Sequence, residues 1–186
     1  MIKVLIVGYG SIGRRHLENF LQLKNVKLIV YTKRTDLGSL KEQGVKISNS
    51  LTECLKENPD IGVITNETSL HLPITIKLAQ NGLDLFIEKP LSNSLKDVEK
   101  LHTIVKKKKL ITQMGCNLRF HPCIKKIKSM IEQQKIGKII SVQVQTCSYL
   151  PDYHPWENYR KGYAARKDLG GGIILTQIHE IDYMYW

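Results

Sequence analysis

An apolar run, Ile2-Lys3-Val4-Leu5-Ile6-Val7, opens directly onto Gly8, Gly10 and Gly13. No other stretch restricts the fold as strongly. Aliphatic and β-branched residues this close together read as a buried strand, and Leu17, Phe20 and Leu21 recur at helical spacing just beyond the glycines. A second apolar run at 26–31 supplies the next strand. Strand, glycine turn, helix and strand in this order begin a parallel sheet.

The Gly-x-Gly-x-x-Gly spacing in that setting fits a dinucleotide turn. Gly8 permits the tight bend, Gly10 lets the backbone approach a pyrophosphate, and Gly13 lets the helix pack on the strand. Ser11, Ile12 and Gly13 then present backbone N–H groups at the helix start to an anion. A glycine turn also closes strand–helix units that bind nothing, and the N-terminal strand and correct order favour the binding reading.

About 20 residues past the glycines, an acidic side chain would hold the adenine ribose of NAD. Thr32, Lys33 and Arg34 stand there instead and suit a 2′-phosphate, which favours NADP over NAD. Asp36 follows and is expected to cap a short helix over 37–43. Further along, a strand is expected at 45–47, a helix at 51–57 and a fourth strand at 60–65. The loop after that strand carries Thr65, Asn66 and His71 to the sheet edge where open α/β sheets bind ligands. His71 either touches the cofactor or caps the helix over 72–80.

The fifth strand, at 84–87, delivers Glu88, Lys89 and Pro90 to the same edge. Lys89 there either stabilises a substrate alkoxide or is a solvated lysine at a strand end. Pro90 fixes the backbone after it, with a cis bond as one option. A helix from Ser94 to the lysine run at 106–109, with Leu95, Val98, Leu101 and Val105 inward, leads to a sixth strand at 110–115. The fold class is α/β, a Rossmann-type doubly wound parallel sheet over residues 1–118, followed by the beginning of a second α+β domain over residues 119–186.

In that second part a lysine-rich helix is expected at 124–134, then a strand at 139–149 with Ile140, Val142 and Val144 on one face. An aromatic loop follows, and Gly170-Gly171-Gly172 precede a continuous helix over 173–186. One strand cannot bury a face, so the second domain is read as incomplete.

The net charge of +11 over 186 residues raises nucleic-acid binding. However, the lysine run complements a helix C-terminus and is not interleaved with aromatics, so anionic cofactors or sugar phosphates are the expected partners and nucleic acid is not. Cys54, Cys116, Cys123 and Cys147 lack zinc-ligand spacing, so no metal is expected and the thiols read as free and buried. With no apolar run of spanning length, a cytoplasmic protein without membrane contact is expected.

Gly8-Tyr9-Gly10-Ser11-Ile12-Gly13, Glu88-Lys89-Pro90, Asn117-Leu118-Arg119-Phe120 and the glycine triplet followed by His179-Glu180-Ile181-Asp182 resemble, in that order, the glucose-fructose oxidoreductase, inositol dehydrogenase and rhizopine-catabolism group, Gfo/Idh/MocA. The resemblance covers the whole chain, and family members continue well past residue 186. It implies hydride transfer between the nicotinamide of NADP or NAD and a sugar, sugar-nucleotide or cyclitol. Lys89 matches the family's catalytic lysine and His179 its proton-transferring histidine. It further implies substrate contacts at Asn117, Arg119, Tyr153, Trp156, Arg160 and Thr176, and a homo-oligomeric full-length form. The aromatic loop is similar to that of members from bacterial surface-sugar biosynthesis. One position departs: where the family carries an aspartate a turn before the histidine, Thr176 stands, and it cannot hold a carboxylate charge. Either Thr176 only hydrogen-bonds substrate, or the chemistry is altered. A catalytically silent nucleotide-binding module is the alternative function.

Overall fold

The computed structural model describes residues 1–186 and divides into two compact units, Met1–Gly115 and Cys116–Trp186. The first unit is a six-stranded parallel sheet. Its strands are β1 (Ile2–Val7), β2 (Val26–Tyr31), β3 (Lys46–Ser48), β4 (Ile61–Ile64), β5 (Asp84–Ile87) and β6 (Thr112–Met114), in the spatial order β3-β2-β1-β4-β5-β6. The connecting helices are α1 (Ser11–Leu21), α2 (Leu51–Lys56), α3 (Thr68–Gln80) and α4 (Val98–Lys108).

Strand periodicity explains the two cores. Leu5 and Val7 point to one face, where they join Cys54 of α2, Leu72, Ile76, Leu78 and Ala79 of α3 and Leu101 of α4. Val4 and Ile6 point to the other and join Leu17 of α1 with Leu28, Val30 and Val63. Because residues 4–7 of β1 are buried on both faces, that stretch is continuously apolar rather than alternating. The chain order reverses between β1 and β4, which makes the carboxyl ends of these strands the switch point of the sheet.

Several expectations are corrected. Residues 37–43 form turns and no helix, and Asp36 caps nothing: its carboxylate lies 3.5 Å from the Arg14 guanidinium. The helix expected from Ser94 begins only at Val98, because Asp97 adopts a left-handed conformation with φ 65° and Leu95 is left exposed. Of the four free cysteines only Cys54 is buried, while Cys123 and Cys147 are exposed.

The second unit contains a 3-10 turn over Asn117–Phe120, the helix α5 (Pro122–Glu132) and two short helices, α6 (Ile173–Thr176) and α7 (Ile178–Tyr185). The strand expected at 139–149 is absent. Ile140 is 95% exposed and Val142 63%, and no segment of the chain pairs with them. Alternation encodes the strand, but a ladder needs a neighbour to complete its hydrogen bonds. The helix expected over 173–186 is interrupted at Gln177, whose φ of −104° and ψ of 34° end α6.

Candidate functional site

The three glycines of the first turn meet different demands. Gly8 has φ 101°, and a Cβ there would lie 2.8 Å from the backbone nitrogen of Asn66. At Gly13 a Cβ would collide with the Gly8 carbonyl and come within 2.8 Å of Thr65 Oγ1. Both are therefore required by the protein's own packing of β1 against β4 and α1. Gly10 is not: it has ordinary extended backbone, φ −83°, and a Cβ would meet no atom within 4 Å. Its missing side chain gives access to the start of α1, where no side chain caps the helix and no acidic residue sits in the first turn. Ser11, Ile12 and Gly13 thus keep the first backbone N–H groups of the helix at an end that favours negative charge.

Thr65 and Asn66 form the facing wall. The Thr65 hydroxyl donates to the carbonyls of Val7, at 2.9 Å, and Gly8, at 3.0 Å, so it braces the glycine turn from β4. Asn66 Oδ1 and Nδ2 are both buried without a hydrogen-bond partner. An unpaired buried amide costs roughly 1–3 kcal/mol, which marks Asn66 as a group waiting for a polar partner. The open cradle at Gly10, the uncapped helix and the orphaned amide together fit a dinucleotide.

At the end of β2 the Thr32 side chain is buried, and its hydroxyl accepts the Arg34 N–H at 3.1 Å. Thr32 shapes the turn, while Lys33 and Arg34 are exposed.

His71 neither caps α3 nor faces solvent. It is 2% exposed, with Nδ1 2.8 Å from the Pro90 carbonyl and Nε2 2.8 Å from the Asn66 carbonyl. Burial lowers its pKa, against the opposing pull of those two carbonyls and of Glu88 and Glu67. A neutral imidazole can donate to only one of the carbonyls. Its ring ties the loop after β4 to the loop after β5.

The Lys89–Pro90 bond is cis. Glu88 is held by His16 of α1, whose Nε2 lies 2.8 Å from Oε1, while Oε2 accepts the Lys89 N–H at 3.2 Å. A Cβ at Gly115 would approach Glu88 Oε2 to 2.8 Å, so that glycine makes room for the carboxylate. Sequence reading overlooked His16, which lies three residues beyond Gly13 on α1 and whose ring meets Phe86 of β5 edge-on, 5.0 Å between centroids. Lys89 itself is half-buried at the ligand edge of the first unit.

In the second unit, Arg119 forms a forked pair with Asp182, with 2.9 Å and 2.6 Å contacts. The Arg119 guanidinium holds the Asp182 carboxyl below the usual carboxylate range, against the opposing effect of burial and with help from the Cys116 thiol. Arg119 is thereby engaged within its own unit and locks α7 to the 3-10 turn that carries Asn117. His179 is half-buried one turn before Asp182. The Thr176 hydroxyl donates to the Gly172 carbonyl at 2.8 Å, the usual back-bond of a helical threonine. Gln177 donates to the Tyr153 hydroxyl at 2.9 Å. Trp156 is 76% exposed and stacks on His154, and the Arg160 guanidinium lies over Tyr159.

The profile of an oxidoreductase family with an NAD-binding Rossmann fold matches residues 2–116. The chain belongs to the Gfo/Idh/MocA family. Among its relatives, myo-inositol 2-dehydrogenase of Thermotoga maritima is 28% identical over 187 residues, which cover 97% of this chain and 53% of that protein. The scyllo-inositol 2-dehydrogenase (NAD(+)) of Bacillus subtilis is 32% identical over 146 residues, covering 75% of this chain and 42% of the relative. The crystal structure of scyllo-inositol dehydrogenase from Lactobacillus casei with bound cofactor NAD(H) and scyllo-inositol superposes with a TM-score of 0.68 at 25% identity, over 75% of this chain and 43% of that one. The chain spans about half the length, or less, of these relatives. No helix is long and apolar enough to cross a membrane.

Proposed function

We propose that this chain supplies the cofactor-binding part, and the proton-handling histidine, of an NAD(P)-dependent oxidoreductase acting on a sugar, sugar-nucleotide or cyclitol. The observation that carries the reading is Gly10, the one fingerprint glycine that the protein's own packing does not require. The inositol dehydrogenases among its relatives support a polyol substrate, and the family resemblance supports a homo-oligomeric full-length form. The aromatic loop alone suggests bacterial surface-sugar biosynthesis. Thr32, Lys33 and Arg34, with no acidic residue among them, support NADP(H) over NAD(H).

When bound, the nicotinamide exchanges a hydride with the substrate carbon. In our reading, His179 takes the proton of the reacting hydroxyl, a task suited to an imidazole near neutral pH. Lys89 stabilises the alkoxide-like oxygen by its charge. Gly10, Ser11, Ile12 and Gly13 bind the pyrophosphate, and Asn66 supplies an amide to the cofactor or substrate.

Titration of the chain with NADPH and NADH by fluorescence is expected to show saturable binding. A folded chain that binds neither would exclude the reading. In a full-length form, Lys89→Ala is expected to lower kcat at least about a hundredfold with little change in cofactor Kd.

A second reading, a silent cofactor-binding module, is favoured by Thr176, whose hydroxyl is committed to its own helix. Turnover of a polyol or sugar nucleotide by the full-length form would exclude it.

A further inference from the structure

We propose that His71 is a positioning residue for the dinucleotide: through an N–H at Nε2 it holds the Asn66 carbonyl, and so sets the place of the Asn66 amide beside the glycine turn. The inference rests on the cofactor reading and adds a residue that acts from behind the wall, without touching the ligand. His71 is 2% exposed, so water does not take over its ring contacts. Nε2 lies 2.8 Å from the Asn66 carbonyl and Nδ1 2.8 Å from the Pro90 carbonyl. The residue is itself fixed within α3, where the Thr75 hydroxyl donates to the His71 carbonyl at 2.7 Å. The Asn66 backbone lies against the glycine turn, its nitrogen 2.8 Å from where a Gly8 Cβ would stand, and both polar atoms of its side chain are buried without a partner.

Two acceptors face a ring that carries a single N–H when neutral, the form that burial favours. The proton therefore sits at Nε2 or at Nδ1, and the surroundings of the two carbonyls decide which site matters for the ligand. The corner after β5 has ties of its own. The Glu88 N–H donates to the Ile64 carbonyl at 2.9 Å, His16 Nε2 lies 2.8 Å from Glu88 Oε1, and the Lys89 N–H donates to Glu88 Oε2 at 3.2 Å. The Asn66 side chain has no such tie. A proton at Nε2 thus steadies the less supported of the two loops and keeps its carbonyl paired. With the loop fixed, the Asn66 amide is in place for a polar group of the dinucleotide, and ordering it does not subtract from the binding energy.

The test combines fluorescence titration of the 186-residue chain with NADH and NADPH and a long-range ¹H–¹⁵N spectrum of the His71 ring. A glutamine amide reaches the place of Nε2 and an asparagine amide that of Nδ1, so His71→Gln keeps the tie to Asn66 and His71→Asn the tie to Pro90. His71→Gln is expected to stay within about threefold of the unaltered chain, and His71→Asn to weaken both dinucleotides about tenfold. Asn66→Ala is expected to weaken them about as much, and His71→Asn combined with Asn66→Ala no further, because both act through one amide. In the complex the ring spectrum should show a proton at Nε2. Equal affinities in His71→Gln and His71→Asn, additive losses in the double variant, or a ring with no proton at Nε2 each overturn the inference while leaving the cofactor reading intact. Failure of the unaltered chain to bind either dinucleotide overturns both. Thermal melts identify any variant that has not folded, and the ring spectrum of the unaltered complex then decides the question.

Discussion

His16 Nε2 lies 2.8 Å from Glu88 Oε1, joining the helix that follows the glycine turn to the Glu-Lys-Pro corner after β5. The two side chains are 19% and 12% exposed, so the contact is shielded enough to contribute to rigidity. A double-mutant cycle with His16→Ala and Glu88→Gln is expected to give a coupling of about 1 kcal/mol by denaturant unfolding. Additive losses would mean that the two groups do not act as a strut.

The glycines should separate cleanly. Gly13→Ala is expected to destabilise the chain by about 1–3 kcal/mol or more, because the obstruction is the backbone of Gly8 together with Thr65. Gly10→Ala should change stability by less than about 1 kcal/mol, since the position is open and extended, yet weaken dinucleotide binding at least about tenfold. Calorimetry and titration of the same two variants check this pair of outcomes, and a Gly10→Ala chain with unaltered affinity would remove the ligand-access role.

Burial holds the His71 pKa below that of an unfolded imidazole. Between the two values the unfolded chain binds more protons than the folded one, so stability rises with pH through that window. Its contribution is complete above about pH 6.5 and is lost as the pH falls through the folded value. Unfolding midpoints between pH 5 and 8 are expected to drop on the acid side, and His71→Phe should flatten that slope. An equally steep slope in the variant would assign the effect to other groups.

Asp182 behaves differently because the charge that shifts it is fixed. Its folded pKa is depressed chiefly by Arg119, so its stabilisation is present above about pH 4 and is lost as pH falls through the folded value. Arg119→Met should remove that acid sensitivity and loosen α7 from the 3-10 turn. Amide hydrogen exchange across 178–185 is expected to quicken, and unchanged protection there would argue against the lock.

Much of the first unit is legible from local sequence. Residues 4–7 of β1 are apolar without a break because both faces of the strand are covered there, and Gly8, Gly10 and Gly13 mark the bend regardless of what lies elsewhere. Lys89 follows from its place at the end of an apolar strand. The segments misread are those whose form depends on neighbours. The alternation at 139–149 encodes a strand face, but no other segment of the chain supplies the ladder. Ser94 and Asp97 look like a helix start, yet the backbone takes a left-handed residue at Asp97 before α4 begins.

What the sequence by itself determined is the parallel sheet, the glycine turn and the polar residues carried to its edge, because period, glycine spacing and charge are local properties. Only the tertiary structure decided which of the three glycines the protein's own packing does not require. It also decided that His71 faces two carbonyls, that Glu88 leans on His16 and that Asp36 closes on Arg14. Each of these relations joins residues brought together by strand order, and the distance between them is fixed by packing that no local pattern records.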